Sequence, residues 1–187
     1  MKTTIVYAHP WSGSFNQGIL DQLRKQYPRA QVIDLYKDQF DPVMRAEDLA
    51  LFSQGGSIDP LVADYQQVLK TTERLFVVFP IWWYGMPAIL KGFFDKVMLK
   101  GFAYSEGRAG VLVGGLSQIK ETYVVTTSQS PTWYLRFWGG NPIGRTLIRR
   151  VFKDIGLKKV KWLNEGAITT SSRGKKVAFL GRIANLK

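Results

Sequence analysis

The sequence predicts an α/β protein with three layers, in which a five-stranded parallel sheet carries helices on both faces. Five short apolar segments alternate with segments of helical periodicity along the 187 residues. Two helix starts carry a capping residue followed by proline, at Asp59-Pro60 and Asn141-Pro142. The length suits one domain with a full core, and no linker or repeat divides residues 1–187. We therefore expect a single domain.

The strands are predicted where apolar residues run together or alternate with polar ones. These segments are residues 3–8, 31–36, 74–79, 121–127 and 159–165. Helices are predicted after residue 14, from Pro60, from Pro87, between Pro142 and Gly156, and more weakly from Ser172. Residues 37–58 have no clear period, and we expect them to be mostly loop.

Composition and charge exclude several functions. The chain has no cysteine and one histidine, so disulfides, thiolate chemistry and a typical zinc site are excluded, and we predict no metal site. The first apolar run is too short for a signal peptide, and no run reaches the length of a spanning helix, so we predict a cytoplasmic protein without membrane insertion.

The charge is uneven along the chain. Residues 96–187 hold 17 Lys+Arg and 4 Asp+Glu, a net charge of +13. The whole chain has a net charge of +12, so the first half is nearly neutral. A basic half of this kind suits either an anionic partner or a solvated surface without a partner. No DNA or RNA motif is present, which makes a nucleic-acid partner the less favoured interpretation.

Ligands of parallel sheets bind beyond the carboxyl ends of the strands, which directs attention to residues 9–16, 80–86 and 128–140. The first of these loops reads HPWSGSFNQ. Ser14 and Gln17 have capping-box spacing, so a helix starting there offers the amides of Phe15 and Asn16 to an anion. His9 adds an imidazole donor, and the loop therefore predicts a phosphate site. It lacks the glycines of a dinucleotide-binding turn or a P-loop.

The second loop places three consecutive aromatic residues on a turn between a strand and a helix. Residues 80–85 read PIWWYG. Such a turn cannot bury all three rings, and indole and phenol groups combine flat apolar surface with polar tips. We interpret the turn as one wall of a site for a flat ligand.

The motifs A-H-P, S-F-N and F-P-x-x-W-Y-x-x-P-A-x-L-K-G-x-x-D-K-V together resemble the flavodoxin-like NAD(P)H quinone oxidoreductase family, over roughly residues 3–165. The resemblance implies a flavodoxin-like three-layer sandwich. It also implies a flavin phosphate held by the first loop and an isoalloxazine ring held by the second. The residues concerned are His9, Ser14, Phe15 and Asn16 in the first loop, and Pro80, Ile81, Trp82, Trp83 and Tyr84 in the second.

The third loop departs from the family pattern. The family usually shows Thr-Thr-Gly-Gly, whereas this chain has Thr126, Thr127, Ser128 and Gln129. We still assign these four residues to the flavin site, with their backbone N–H groups facing the ring's polar edge. Tyr134 matches a family tyrosine and is the candidate catalytic residue. The histidine that accompanies it in the family is absent, because position 140 is glycine.

The resemblance further implies a function. It predicts two-electron reduction of quinones or similar flat acceptors with NADPH or NADH, in which the donor leaves before the acceptor enters. FMN is the expected cofactor, with FAD as the alternative. A homodimer is expected, with the helix 87–99 and the aromatic stretch 133–138 as candidate contacts. Two alternatives stay open: a regulatory flavoprotein subunit of a potassium-efflux system, and a binder of nucleic acid or an anionic surface.

Overall fold

A computed structural model describes residues 1–186 and shows a central parallel sheet of five strands. Seven strands are present among these residues: β1 Thr3–Tyr7, β2 Gln31–Asp34, β3 Arg74–Pro80, β4 Tyr104–Glu106, β5 Leu112–Gly114, β6 Glu121–Thr127 and β7 Val160–Glu165. The central sheet has the order β2-β1-β3-β6-β7, and β4 and β5 form a separate antiparallel hairpin. The predicted fold class is confirmed. The strand order reverses between β1 and β3, and a ligand crevice is expected at the carboxyl ends of these strands.

Helices cover both faces of the sheet. They are α1 Phe15–Gln26, α2 Ala46–Phe52, α3 Pro60–Lys70, α4 Ala88–Val97, α5 Thr132–Phe137, a π-helix Ile143–Phe152 and α6 Arg173–Ala184. α1 and α6 pack on one face of the sheet, whereas α3, α4 and the π-helix share a larger apolar core on the other. Alternate residues of β3 supply the two cores: Phe76 faces α1 and Val77 faces α4. Within residues 1–186, no helix has the length and apolarity needed to span a membrane.

The predicted helix boundaries have a local chemical basis. The Asp59 carboxylate accepts from the Leu61 amide, and Pro60 occupies the first helical position of α3. Asn141 Oδ1 accepts from the Gly144 amide at 3.1 Å, and Gly156 ends the following helix at a φ of +90°. At α1 the capping box is only half formed. Ser14 Oγ accepts from the Gln17 amide, but the Ser14 amide donates to the Trp11 carbonyl, and Gln17 Oε1 accepts from the Tyr7 hydroxyl instead.

Four elements differ from the sequence predictions. Residues 37–58 contain α2, and neither the β4–β5 hairpin nor α5 was predicted. These elements are short, and α2 has no apolar stripe because its one buried residue is Asp48. The helix predicted between residues 142 and 156 is π-helical over Ile143–Phe152, a difference that an apolar pattern of period 3.6 does not reveal.

A buried charge cluster attaches the segment with α2 to the core. The Lys96 ammonium of α4 lies 3.0 Å from Asp59 Oδ2, 4.0 Å from Asp48 Oδ2 and 2.9 Å from the Asp41 carbonyl oxygen. It also lies over the Phe40 ring, 5.3 Å from the centroid. The side chain is only 3% exposed. The segment after β2 is therefore held by charge as well as by apolar burial.

Candidate functional site

The three loops predicted to form the site meet at the carboxyl edge of the sheet. The Ala8 amide donates to the Val78 carbonyl at 3.0 Å, which joins the end of β1 to β3. The Ile81 amide donates to the Thr127 carbonyl at 2.7 Å, which joins β3 to β6. Asn16 Nδ2 donates to Thr127 Oγ1 at 2.8 Å, which connects the start of α1 to the third loop. The loops are thus bonded to one another and not merely adjacent.

The first loop presents donors at the start of α1. The amides of Phe15 and Asn16 lie in the first helical turn, where backbone N–H groups have no intrahelical acceptor. Ser14 Oγ is engaged by the Gln17 amide at 3.1 Å, so its role as a helix cap is established. Phe15 packs its ring against Phe179 of α6, with centroids 6.1 Å apart, and this contact fixes the first turn on the sheet. An anion at this helix end meets oriented N–H dipoles.

His9 follows β1 and is held in one tautomer by its neighbours. Its Nδ1 accepts from the Trp11 amide at 3.1 Å, and its ring stands edge-on to Trp82 with centroids 6.0 Å apart. Burial lowers the pKa of His9 from its ordinary value. The ring is therefore neutral at pH 7, with its proton on Nε2. That atom is a donor oriented by the contacts of the rest of the ring.

Asn16 carries an unsatisfied oxygen between the first and third loops. Its Nδ2 is bonded to Thr127, whereas Oδ1 is buried and has no hydrogen-bond partner among the described residues. A buried acceptor left without a donor costs about 1–3 kcal/mol. A ligand hydroxyl or N–H that reaches this oxygen removes that cost. This observation fits a polar ligand chain that passes from the first loop toward the third.

The aromatic turn has a strained backbone. Trp82 and Gly85 exchange both backbone hydrogen bonds, at 3.0 and 2.9 Å, and enclose a two-residue turn. Trp83 and Tyr84 occupy that turn with φ of 48° and 64°. Such turns favour Asn and Gly, and bulky residues in the left-handed region cost about 1–3 kcal/mol each. The Trp83 side chain is 97% exposed, so burial of the ring does not repay the strain. Strain of this kind is typical of ligand clamps.

A cavity of about 540 Å³ separates the aromatic turn from the third loop. Its volume falls within the range of small-molecule sites. One wall is aromatic and the other is polar. The lining residues are Ile81, Trp82, Trp83, Tyr84, Ser128, Gln129, Ser130 and Leu135. Pro80 ends β3 directly before this wall. The cavity has the size and lining that a flat heteroaromatic ring requires.

Many polar groups of the third loop are hydrogen-bonded to other residues of the protein. Thr126 Oγ1 accepts from Trp162 Nε1 at 2.8 Å and donates to Asn164 Oδ1 at 2.7 Å. The Ser128 amide donates to the Glu165 carbonyl at 3.0 Å, and Ser128 Oγ bonds to Asn164 Nδ2 and to the Ser130 carbonyl. The expectation that the Ser128 N–H faces a ligand is therefore wrong. Gln129 is exposed at the cavity and makes no such internal hydrogen bond among the described residues.

Tyr134 lies on α5 next to the aromatic turn. A hydrogen bond with the Tyr134 phenol raises the pKa of Tyr84. Gly139 allows this approach, since a Cβ there would lie 3.0 Å from a ring carbon of Tyr84. Leu135 lines the cavity, whereas Tyr134 borders it through Tyr84. Sequence reasoning missed Leu135, and also Asn164, whose polar side chain at the end of an apolar strand was a usable signal.

An apolar groove of about 630 Å³ lies on the other side of Tyr84 and Gly85. α2, α4, the β4–β5 hairpin and the π-helix border it, with Met86, Phe94, Met98 and Leu112 among its lining residues. The sequence did not predict this groove, because two of the four elements that form it were not predicted.

Residues 1–178 match the model of the Flavodoxin_2 family, described as having a flavodoxin-like fold, and the chain belongs to this family. An uncharacterized NAD(P)H oxidoreductase of Haemophilus influenzae is 29% identical over 167 residues, which cover 87% of this chain and 82% of that protein. The rat NAD(P)H dehydrogenase [quinone] 1 is 29% identical over 154 residues, covering 71% of this chain and 55% of the rat protein. The chain thus matches about half the length of the rat enzyme.

Solved structures agree with this assignment. Smu.1420 from Streptococcus mutans superposes with a TM-score of 0.85 at 32% identity, covering 98% of this chain and 97% of that one. An FMN-dependent NADH-azoreductase from Bacillus anthracis, solved in complex with FMN, has a TM-score of 0.80 at 16% identity, with 98% and 95% coverage, and supports the fold alone. The predicted family is confirmed, and the names of the relatives confirm an enzyme of the oxidoreductase class.

Proposed function

We propose that this chain is a flavin-dependent NAD(P)H oxidoreductase that reduces quinones or similar flat acceptors by two electrons. One observation supports this more than any other: the start of α1 and the strand end that leads into the strained aromatic turn are both bonded to Thr127, and the cavity lies between that turn and the third loop. A ligand with a phosphate at one end and a flat ring at the other matches both features. The relatives' names point to the same chemistry.

Each part of the site has a defined role toward such a cofactor. The phosphate end would be held by His9 Nε2 and by the amides of Phe15 and Asn16, while Asn16 Oδ1 would accept from the linking chain. The ring would lie in the cavity between the 81–84 wall and residues 128–130. A bound flavin supplies hydride acceptance from NADPH or NADH and two-electron donation to the acceptor. FMN is the proposed form, because the first loop offers one compact phosphate seat, and FAD is the alternative.

Residues of the chain would also bind the polar edge of the flavin ring and supply a proton to the acceptor. The amides of Trp83 and Tyr84 have no backbone acceptor among the described residues. Together with the Gln129 amide of the third loop, they are the candidates for the ring's polar edge. We propose that the Tyr134 phenol, held beside Tyr84, donates to an acceptor oxygen during reduction.

We propose a homodimer, in which the expected contact at the helix 87–99 includes the apolar groove beside Tyr84, and the expected contact at residues 133–138 stays a prediction. Leu90, Phe93 and Val97 of α4 are buried in the chain's own core, whereas Phe94 and Met98, at the end of the same helix, line the apolar groove beside Tyr84. The groove beside Tyr84 remains available. It adjoins the hairpin, on which Val111, Leu112 and Val113 are exposed. A partner seated there would lie next to the cavity wall. A cytoplasmic location stays a prediction.

Flavin binding is the direct test of the proposed function. Isothermal titration of flavin-free protein with FMN and with FAD should give a dissociation constant in the micromolar range or tighter for at least one of them. The phosphate seat also predicts that riboflavin, which lacks the phosphate, binds more weakly than FMN. If neither flavin binds below the millimolar range, the proposal is wrong.

The two substrates should use the cavity in turn. Nicotinamide and quinone are both flat, and a flavin ring placed against the aromatic wall of the cavity would keep one open face, so both substrates cannot lie on that face together. Steady-state rates at several NADPH and menadione concentrations should therefore give parallel double-reciprocal lines, as ping-pong kinetics require. Intersecting lines would contradict the shared cavity. Flavin binding without any turnover would instead favour a regulatory flavoprotein, such as a subunit of a potassium-efflux system.

A further inference from the structure

One side of the molecule carries a basic surface that ends in exposed aromatic residues. We call it the basic–aromatic face. Its basic part is the outer side of the π-helix, with Arg145, Arg149, Arg150 and Lys153. Its aromatic part is α5 and the residue after it, with Trp133, Phe137 and Trp138.

The two parts are continuous through the edge strand β7. The Arg136 guanidinium of α5 lies 5.0 Å from the Trp162 ring centroid and donates to the Trp162 carbonyl at 3.5 Å. Farther along β7, a shallow concavity of about 720 Å³ joins Val160 to the basic side of the π-helix. Val160 and Trp162 both pack against the core that contains the π-helix, whereas Lys161 between them points to the opposite face, with its ammonium 5.5 Å from the Tyr123 ring centroid. The strand thus connects the aromatic end to the basic surface.

Among the described residues, the cations of the π-helix have no ionic partners. The ion pairs found among the described residues involve cations elsewhere in the chain, such as Arg74, Lys96 and Lys120. Asp154, at the end of the same helical segment, lines the apolar groove on the other side of the helix. Like charges gathered without compensation repel one another, and an anionic partner removes that cost.

The aromatic end is too exposed for a structural role. Trp133, Phe137 and Trp138 are 59%, 79% and 77% exposed. Clustered apolar side chains of this size in water are typical of an interaction site. Tryptophan in particular suits the boundary between lipid and water, where an apolar ring and a polar N–H are both satisfied.

The arrangement distinguishes a lipid surface from single-stranded nucleic acid. Nucleic-acid sites place aromatic rings inside a basic groove, so that bases stack while cations follow the backbone. Here the exposed aromatic residues stand at one end, where Arg136 accompanies them, and the four cations of the π-helix side lie along the flank. This segregation matches an interfacial anchor, in which rings enter the headgroup region and cations meet anionic lipid.

We propose that the basic–aromatic face binds the surface of an anionic phospholipid bilayer peripherally. The binding does not depend on the proposed enzymatic function. Leu135, on the same short helix as Trp133 and Phe137, lines the 540 Å³ cavity, so the bound protein holds this cavity close to the membrane. If the proposed function holds, a lipid-soluble quinone is the acceptor class that gains most from this position.

Flotation with vesicles tests the proposal without an activity measurement. The purified full chain, with whatever cofactor it carries, is mixed with vesicles of equal parts phosphatidylcholine and phosphatidylglycerol, or with vesicles of phosphatidylcholine alone. Binding should be strong only to the anionic vesicles and should weaken with salt. Each cation near an anionic surface contributes about a fivefold factor, so Arg149→Ser with Arg150→Ser should reduce partitioning roughly thirtyfold.

Two further variants complete the test. Phe137→Ser with Trp138→Ser should reduce partitioning at least tenfold, since apolar burial adds to the electrostatic attraction. Arg24→Ser with Lys25→Ser removes two exposed cations from α1, on the opposite face of the sheet, and should change it less than threefold.

Four results would overturn the proposal: no flotation with anionic vesicles, equal binding to neutral vesicles, an equal effect of the α1 control, or tighter binding to single-stranded DNA through the same arginines. If the aromatic variant changes the oligomeric mass but not flotation, the aromatic end contacts a second copy, and the proposal is likewise overturned.

Discussion

Lys96→Met is expected to lower the free energy of unfolding by about 3–5 kcal/mol, because it leaves buried carboxylates without their cation. Lys96 is 3% exposed and neutralises Asp59 and Asp48, which are themselves largely buried. Methionine keeps most of the side-chain volume, so the loss reports charge rather than packing. Urea unfolding followed by circular dichroism measures it, with the slope of the transition showing whether the unfolded state changes.

Lys91 provides a matched control on the same helix. It pairs with Asp95 one turn away, but its side chain is 61% exposed. An exposed pair of this spacing contributes about 0.3–0.5 kcal/mol, so Lys91→Met should be almost neutral. Adding Asp48→Asn and Asp59→Asn to Lys96→Met should recover part of the loss, since the uncompensated charges are then removed and an asparagine at position 59 can still cap α3. Equal small effects of the two lysine variants would show that the cluster is not electrostatically important.

The central sheet could be predicted because each of its strands has a local sequence pattern. Arg74–Pro80 is buried on both sides and is therefore a continuous apolar run. α2 could not be predicted in this way. Its stabilising contacts join Asp48 to Lys96, which lies far along the chain, and no apolar period marks the helix. Elements held by distant charge pairs leave little trace in a local pattern.

The site residues show the same division between local and distant causes. The helix cap at Ser14 depends on residues three positions apart and was predictable. The hydrogen bonds that join the third loop to β7, from Trp162 to Thr126 and from Asn164 to Ser128, could not be predicted. β6 and β7 are neighbours in the sheet but are separated in sequence. The left-handed backbone of the 83–84 turn was equally hidden. Residue preference argues against that conformation for Trp and Tyr, and only the pairing of Trp82 with Gly85 imposes it.

His9→Ala is expected to weaken flavin binding by up to about a hundredfold, which is the loss of one charge-assisted hydrogen bond. Thermal stability of the flavin-free protein should change little, because the ring is only half-buried and accepts one bond, from Trp11 in an exposed loop. His9→Gln is the matched control, since it retains an N–H donor. Fluorescence titration with FMN measures all three proteins. An unchanged dissociation constant in the alanine variant would make His9 an ordinary loop residue.

The pH dependence of flavin binding distinguishes a titrating imidazole donor from an amide donor that does not titrate. Burial holds the pKa of His9 below its ordinary 6.5 in the flavin-free protein, so this residue's contribution to folding stability is lost as the pH falls below about 6.5. A phosphate beside Nε2 favours the protonated ring and raises that pKa, so binding takes up a proton. Affinity should therefore increase as the pH falls toward 6.5. Glutamine does not titrate, and His9→Gln should keep much of the affinity at alkaline pH but lose this increase. The comparison also cancels the phosphate's own protonation near about pH 6, which both proteins share. If the two proteins show the same pH dependence, His9 does not contact the phosphate, and the anion is held by the start of α1 alone.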